Sequence, residues 1–552
     1  MRIVYKIVEY LEGCNRYLFS PDIDSHNKCK AVLTPLLSIS ERWRVTALDS
    51  ICDNCQLDFN TEREAIEIAY PAWPTGFSYL GFRKNHLVKQ VVVMARPQYE
   101  SLVFSSATSL VLRMCNSVAS SSMCDSYVYT CNKETEIQGN VATIARSLLH
   151  LTPAAFRITV SVISGQGMQY YHGGYYNRPT DLGNLYSKIA MELCQGGARS
   201  LLVESQLKEL LLSIDMGAIS GLTNIAHGPG VSCVSFAKLA YLNAPTLKML
   251  DMRLAAQTEW AILIYGRTTT SAAYPNLASL TLAISGISYS VTWAATEDAA
   301  PFPVLSKLSV SGGYPFDDDL LFRGNGGTMM SLCIPFSAIA RNALGRFGVL
   351  KRGGATQMTK VSIDEVTSLD KEFLAGRTDV PIKQQVHGIL EVARSLSTKD
   401  YTMGFPVYKA LCVATSTAIL QRLDFLDELI RVDGIISLVA AIPSLVSLIC
   451  SVASIGAEIG AILENRRLSS LYAKHYPLSA NFRVLQVSNT ADSKIEDMAY
   501  TAMLLAVLCP NFACVDISPS LRNAFGRGIA WAAFNFPFEE HADTLRRLIY
   551  RK

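Results

Sequence analysis

Cys52 and Cys55 form a CxxC pair, and His26 with Cys29 forms a second pair at a compatible spacing. Two such pairs make the donor set of a tetrahedral structural zinc, with thiolates and an imidazole converging from short turns. The settings argue the other way. His26 and Cys29 lie in a polar insertion, and Cys52 closes an apolar helical stretch. Thiols without a metal are the expectation. Cys333, Cys412, Cys450 and Cys509 sit beside apolar neighbours, as buried free thiols do.

Other segments with chemical promise lack the rest of their machinery. His227-Gly228-Pro229-Gly230 has the composition of an oxyanion loop, but no Gly-x-Ser-x-Gly nucleophile turn occurs in the chain, so it reads as a loop. Gly165-Gln166-Gly167 lacks the spacing of a dinucleotide fingerprint, and no Gly-Lys-Ser/Thr follows a glycine-rich stretch. No cofactor is expected. Asp317, Asp318 and Asp319 are adjacent and diverge on any backbone; a helix cap accounts for them better than a cation. With eight histidines and no convergent nucleophile and base, no catalytic residue is assigned and no enzyme is expected. Tyr170, Tyr171, Tyr175 and Tyr176 stand among glycines between Gly165 and Arg178. Such a loop suits protein contacts, because a tyrosine ring covers much area for two torsions; a packed-down insertion is the alternative.

The elements that would position a site come from a repeat. The template apolar-x-x-apolar-x-apolar, with a proline two residues ahead, occurs at Leu247/Leu250/Met252, Leu277/Leu280/Leu282 and Leu305/Leu308/Val310, with starts 30 and 28 residues apart. Looser copies stand at Met329/Leu332/Ile334, Met358/Val361/Ile363, Leu420/Leu423/Phe425, Leu445/Leu448/Cys450, Phe482/Leu485/Val487 and Phe512/Val515/Ile517. Weaker versions lie upstream at Val88/Val91/Val93 and Ala155/Ile158/Val160. The 62 residues between Met358 and Leu420 would hold one copy that does not align.

The closing apolar-x-apolar is a short strand that buries alternate side chains. Between strands, Val141–Leu149, Leu182–Leu193, Leu426–Ala441 and Ile495–Leu508 carry helical spacing, each able to lay an apolar stripe on the sheet. Strand, turn, helix, turn in about 28 to 30 residues is the long form of a leucine-rich repeat, which stacks with a parallel sheet inside and helices outside. The expected fold is therefore α/β: a leucine-rich-repeat solenoid, a horseshoe, over residues 61–552. A doubly wound domain shares the alternation of elements, but not the strict spacing. The asparagine that closes many leucine-rich repeats is absent, so the copies are degenerate.

Composition narrows the partners. Of 552 residues, 49% are hydrophobic and 18% charged, with a formal net charge of +3. The chain is expected to fold almost throughout, and that balance gives no reason to expect nucleic acid. Gly434–Ala457 contains no charged residue and is long enough for a membrane span. However, Pro443 interrupts it and its second half fits the template, so a buried helix followed by a buried strand is expected, and no membrane. Arg2, Lys6 and Glu9 interrupt the first helical stretch, where a secretory signal needs an unbroken apolar core. A cytoplasmic or nuclear location follows.

Residues 1–60 read as a separate helical module: Ile3–Leu11, Ala31–Ile39 and Ser40–Cys52. The first helix ends in Val8, Glu9, Tyr10 and Leu11; then come Leu36, Leu37, Ser38, Ile39 and Ser40, and Trp43 and Arg44 ahead of Ala47 and Leu48. This pattern resembles a degenerate F-box. It lacks the usual opening Leu-Pro and carries a polar insertion from Asn15 to Lys30. Joined to the repeats, it makes the chain similar to fungal F-box and leucine-rich-repeat proteins. The resemblance implies docking on a Skp-type adaptor of a cullin ubiquitin ligase through Ile7, Leu11, Leu37 and Trp43, with the repeats holding a protein substrate. A pair of helices that only caps the first repeat is the alternative. The substrate surface would be the outward strand positions Asp251, Thr281, Ser309, Ser362, Asp424, Gln486 and Asp516.

Overall fold

The computed structural model describes residues 40–60, 65–69, 87–94, 102–116, 134–164, 188–205, 219–227, 233–254, 257–265, 274–284, 301–312, 321, 328–335, 359–364, 395–398, 419–453, 477–487, 495–516 and 524–527. The chain divides into two compact units, Met1–Leu277 and Ala278–Lys552.

In the first unit, helix α1 (Glu41–Ile51) starts where expected. Ser40 is extended and its Oγ accepts the Trp43 N–H at 3.5 Å, with Glu41 in the first turn; both features suit the positive end of a helix. The chain passes from Cys52 into β1 (Asn54–Asn60), which doubles back antiparallel into β2 (Ala65–Ala69). Along its other edge β1 pairs in parallel with β3 (Gln90–Met94). The ladder continues through β4 (Ser109–Asn116), β5 (Arg157–Ser164), β6 (Ser200–Ser205), β7 (Asn224–His227) and β8 (Met249–Leu254), each parallel to its predecessor. Helix α2 (Glu134–Leu151) lies between β4 and β5, α3 (Cys233–Leu242) lies between β7 and β8, and α4 (Gln257–Tyr265) follows β8. The boundary expected at residue 60 falls at the end of β1, and pairing ties that strand to the sheet.

The second unit repeats the scheme without a hairpin. Strands β9 (Ser279–Ile284), β10 (Lys307–Gly312), β11 (Ser331–Pro335), β12 (Lys360–Asp364), β13 (Ser395–Thr398), β14 (Arg422–Ile430), β15 (Ser447–Val452), β16 (Val484–Val487) and β17 (Cys514–Asp516) pair in chain order, all parallel. Helix α5 (Val432–Ala441) precedes β15, and α6 (Ile495–Leu508) precedes β17. The protein is thus α/β with a long parallel sheet, and neither run of described strands closes into a barrel.

The triplets are the rungs. Leu308 faces Leu280 and Leu332, and Leu448 faces Leu423 and Leu485; all six are fully buried. Each such leucine contributes about 1.5–3 kcal/mol by leaving water. The ladder also contains copies the template misses. Leu396 of β13 pairs with Val361 and Leu423, so the unaligned copy ends in Thr398 where an apolar residue was sought. Ala107/Leu110/Leu112, Ala198/Leu201/Val203 and Leu222/Ile225/His227 are buried in the first unit, the last with a histidine in the third place.

A recurring turn explains the proline. The first apolar residue of a triplet donates its N–H to a carbonyl three residues back: Leu277 to Tyr274, Leu305 to Phe302, Leu445 to Ile442 and Phe512 to Cys509. The proline is the second residue of that turn, where its fixed φ fits. The turn's third residue holds the copies together. Asn276 Nδ2 donates to Pro245 O at 2.7 Å, Asn481 Nδ2 to Pro443 O at 2.9 Å and Asn511 Nδ2 to Ala480 O at 2.7 Å. Thr246, Thr328 and Ser444 do the same with hydroxyls, to Leu222 O, Leu305 O and Leu420 O. A polar ladder is therefore present, placed ahead of the triplet rather than after it. Just past the turn, one carbonyl accepts two N–H groups of the next copy; Thr223 O receives Lys248 and Met249, and Val446 O receives Arg483 and Val484.

One expected helix is half strand. Leu426–Ala441 was expected to be helical throughout, but Arg431 is extended and α5 begins only at Val432. Residues 426–430 extend β14, where Leu429 and Ile430 pair with Ser451 and Val452 past a register shift. Pairing with β15 overrides local spacing there. As expected, the uncharged stretch from Gly434 resolves into helix, turn and strand. Among the described residues no helix is long and apolar enough to cross a membrane.

Candidate recognition surface

In the second unit register aligns one outward position of every strand: Thr281, Ser309, Cys333, Ser362, Ser397, Asp424, Ile449, Gln486 and Asp516. Six of the seven residues assigned to substrate contact fall on this row. Thr281, Ser309, Ser362, Asp424 and Gln486 are partly exposed and Asp516 is exposed. Cys333, Ser397 and Ile449 complete the row, and Ile449 is only 4% exposed. The seventh, Asp251, is partly exposed on β8 of the first unit, beside Ala226.

The same position elsewhere in the first unit is mostly closed, with Gln56 and Thr159 partly exposed. Val92, Val111, Leu202 and Ala226 occupy it and are all buried. Both sides of the sheet are covered at β3, β4, β6 and β7, whereas Thr281, Ser309, Cys333, Ser362 and Asp424 present partly exposed hydroxyl, thiol and carboxylate groups. A parallel sheet buried on both faces reads as near-continuous apolar strands, and β3 (Gln-Val-Val-Val-Met) does so.

The residues singled out for chemistry have other duties. Cys52, Cys55 and Leu57 occupy the three inner places of the first triplet and are 0, 0 and 1% exposed. The CxxC is thus a copy of the repeat written in cysteine, a residue that packs as a small hydrophobe. Among the described residues no group of three or more His, Cys, Asp or Glu could hold a metal. His227 ends β7, buried, its ring edge-on to Phe236 at 4.9 Å and its Nδ1 accepting the Arg253 N–H at 3.4 Å. Burial pushes the thiols of Cys194 and Cys509 up to about 12, with a Ser479 backbone hydrogen bond opposing this at Cys509. Neither is a nucleophile at neutral pH.

Of the residues assigned to the adaptor, Trp43 is half-buried on α1, with Val45 exposed nearby on the same helix. Ile7, Leu11 and Leu37 lie outside the described residues, as do Tyr170, Tyr171, Tyr175, Tyr176, His26, Cys29, Gly165–Gly167 and Asp317–Asp319. Compared with known proteins, the chain matches no family model and no curated protein.

Proposed function

We propose that this protein is a leucine-rich-repeat solenoid that binds another protein across the outward face of its sheet. The observation that carries the reading is the aligned row from Thr281 to Asp516, in which Thr281, Ser309, Cys333, Ser362, Asp424, Gln486 and Asp516 are at least partly exposed on strands about 4.8 Å apart. Small polar groups on a rigid sheet suit recognition of an extended partner surface, because the scaffold loses little freedom on binding. Affinity purification of the full chain with mass spectrometry tests it, alongside T281R/S309R/S362R. A recurrent client held by the wild type and lost from the variant supports the reading; a client held equally by both removes it.

A second reading adds a role for the client. With α1 leaving Trp43 half-buried and Val45 exposed, the N-terminal helices would dock a Skp-type adaptor and the repeats would present a substrate to a cullin ubiquitin ligase, in cytoplasm or nucleus. A pull-down of the full chain with such an adaptor tests it. Binding lost in Trp43→Ala, with thermal unfolding unchanged, supports docking; no binding by the wild type leaves a stand-alone scaffold whose N-terminal helices only cap.

A further inference from the structure

The N-terminal ends of the strands in the second unit carry an ordered charge pattern. Register places Ser279, Lys307, Ser331, Lys360, Ser395, Arg422 and Ser447 side by side on β9 to β15. Serine alternates with a cation at each step. Beyond Ser447 the register place is Val484, and Arg483, one residue ahead of it, adds a further cation at the turn. Lys307, Lys360, Arg422 and Arg483 are all exposed, and no ion pair joins them to a described carboxylate. Two strand spacings separate successive cations of the row from Lys307 to Arg422, about 9.6 Å.

No acid interrupts the rim. The turn residues and first strand residues of the described copies are Ala278/Ser279, Ser306/Lys307, Met330/Ser331, Thr359/Lys360, Gln421/Arg422, Val446/Ser447, Arg483/Val484 and Ala513/Cys514. The chain as a whole has 50 basic and 47 acidic residues, so a one-signed rim is a local arrangement rather than a reflection of composition. On this face carboxylates stand further along the strands, at Asp424 and Asp516. Described by itself, the first unit carries Lys89, Arg157, Arg199 and Lys248 at the equivalent places, and its one acid there is Asp53.

We propose that the rim of the second unit binds an acidic polypeptide segment laid across the strands from β10 to β16. This rests on the protein-binding reading above and names the chemistry of the partner. An extended chain advances about 3.3 Å per residue, so every third residue of an acidic run meets the next cation, and about nine residues span the rim. The serines between the cations supply neutral donors to the intervening carbonyls. A single-stranded nucleic acid is the poorer fit, because it needs aromatic platforms for its bases and none of the sixteen rim residues named above is aromatic.

The test is fluorescence anisotropy of a dye-labelled oligoglutamate of about twelve residues with the full chain, against a glutamine peptide of equal length and oligouridylate. Saturable binding of the glutamate peptide is expected, weakening as salt shortens the screening length. The quadruple variant K307Q/K360Q/R422Q/R483Q is expected to weaken it by roughly tenfold or more, four exposed contacts being lost together. Thermal unfolding of that variant verifies that the fold is intact. No binding of the glutamate peptide, an unaffected variant, or tighter binding of oligouridylate each overturns the inference. The sheet-face variant T281R/S309R/S362R keeps the two readings apart. If the rim fails while clients are still lost from that variant, protein binding stands with a different partner chemistry; if clients ignore it, the wider reading falls.

Discussion

Asn243→Ala is expected to be among the most damaging single polar substitutions in the first unit. Asn243 is 1% exposed, and its side chain serves three backbone groups. Oδ1 accepts the Leu222 N–H at 2.9 Å, while Nδ2 donates to Ile219 O at 3.0 Å and Leu239 O at 2.9 Å. Leu239 O keeps the Asn243 backbone N–H after truncation. The Leu222 N–H and Ile219 carbonyl lose the Asn243 side chain in a buried turn that no water reaches easily, at about 1–3 kcal/mol each. The sum, about 2–6 kcal/mol, corresponds to a fall in Tm of about 5–20 °C. Asn276→Ala is the control: its residue is exposed and its side chain gives one bond, to Pro245 O, so about 0.5–1.5 kcal/mol is expected. Urea unfolding gives the two costs, and native-state hydrogen exchange at the Leu222 amide locates the first. Equal costs for the two variants, or less than about 1 kcal/mol for Asn243→Ala, would refute the claim that burial of the orphaned groups sets the penalty.

Three further outcomes follow from the same geometry. Gly312 has φ +82°, and a Cβ there would collide with Ile284 O of the neighbouring strand, so Gly312→Ala is expected to cost about 1–3 kcal/mol or more, read by thermal unfolding; a neutral result contradicts the strand pairing. Cys194 and Cys509 have folded-state pKa values of about 12 against an ordinary 9.0. The folded chain holds those protons more tightly, so this stabilisation is complete below pH 9.0 and disappears as pH rises toward about 12. Cysteine-mapped labelling with Ellman's reagent at mildly alkaline pH is expected to spare both residues until urea is added. C52V/C55V is expected to unfold within about 1.5 kcal/mol of the wild type, with EDTA leaving both melting curves unchanged; a chelator-induced fall in the wild-type Tm would restore a metal to the CxxC.

The strict copies were legible because leucine at the first two inner places and leucine, methionine or valine at the third leave one physical explanation, a strand buried on one side. Cys52/Cys55/Leu57, Leu222/Ile225/His227 and the copy ending in Thr398 were not, since the places tolerate any side chain that can be buried and satisfied there. The stronger signal lay one residue earlier. Thr246, Asn276, Thr328, Ser444, Asn481 and Asn511 each bond to the preceding copy, so a polar residue before the first apolar place belongs in the template. The outward row was legible once the register was fixed, because period two leaves no choice of face. The change to buried valine and leucine at that position in β3, β4 and β6 was not legible, because strand periodicity fixes which face a residue takes and not whether that face is covered. Leu426–Ile430 failed for a similar reason: its helical spacing lost to a partner strand distant in sequence.

The hairpin of β1 and β2 has a consequence for handling the protein. A parallel strand with a bare flank is a template on which other chains assemble, and β2 seals that flank of β1 with a strand running the opposite way and bearing Glu67. Truncations that begin after residue 70 remove the seal and leave β3 as the outermost strand, its backbone groups and its Val91, Val92 and Val93 open to a neighbour. Such fragments are expected to aggregate where the intact chain does not.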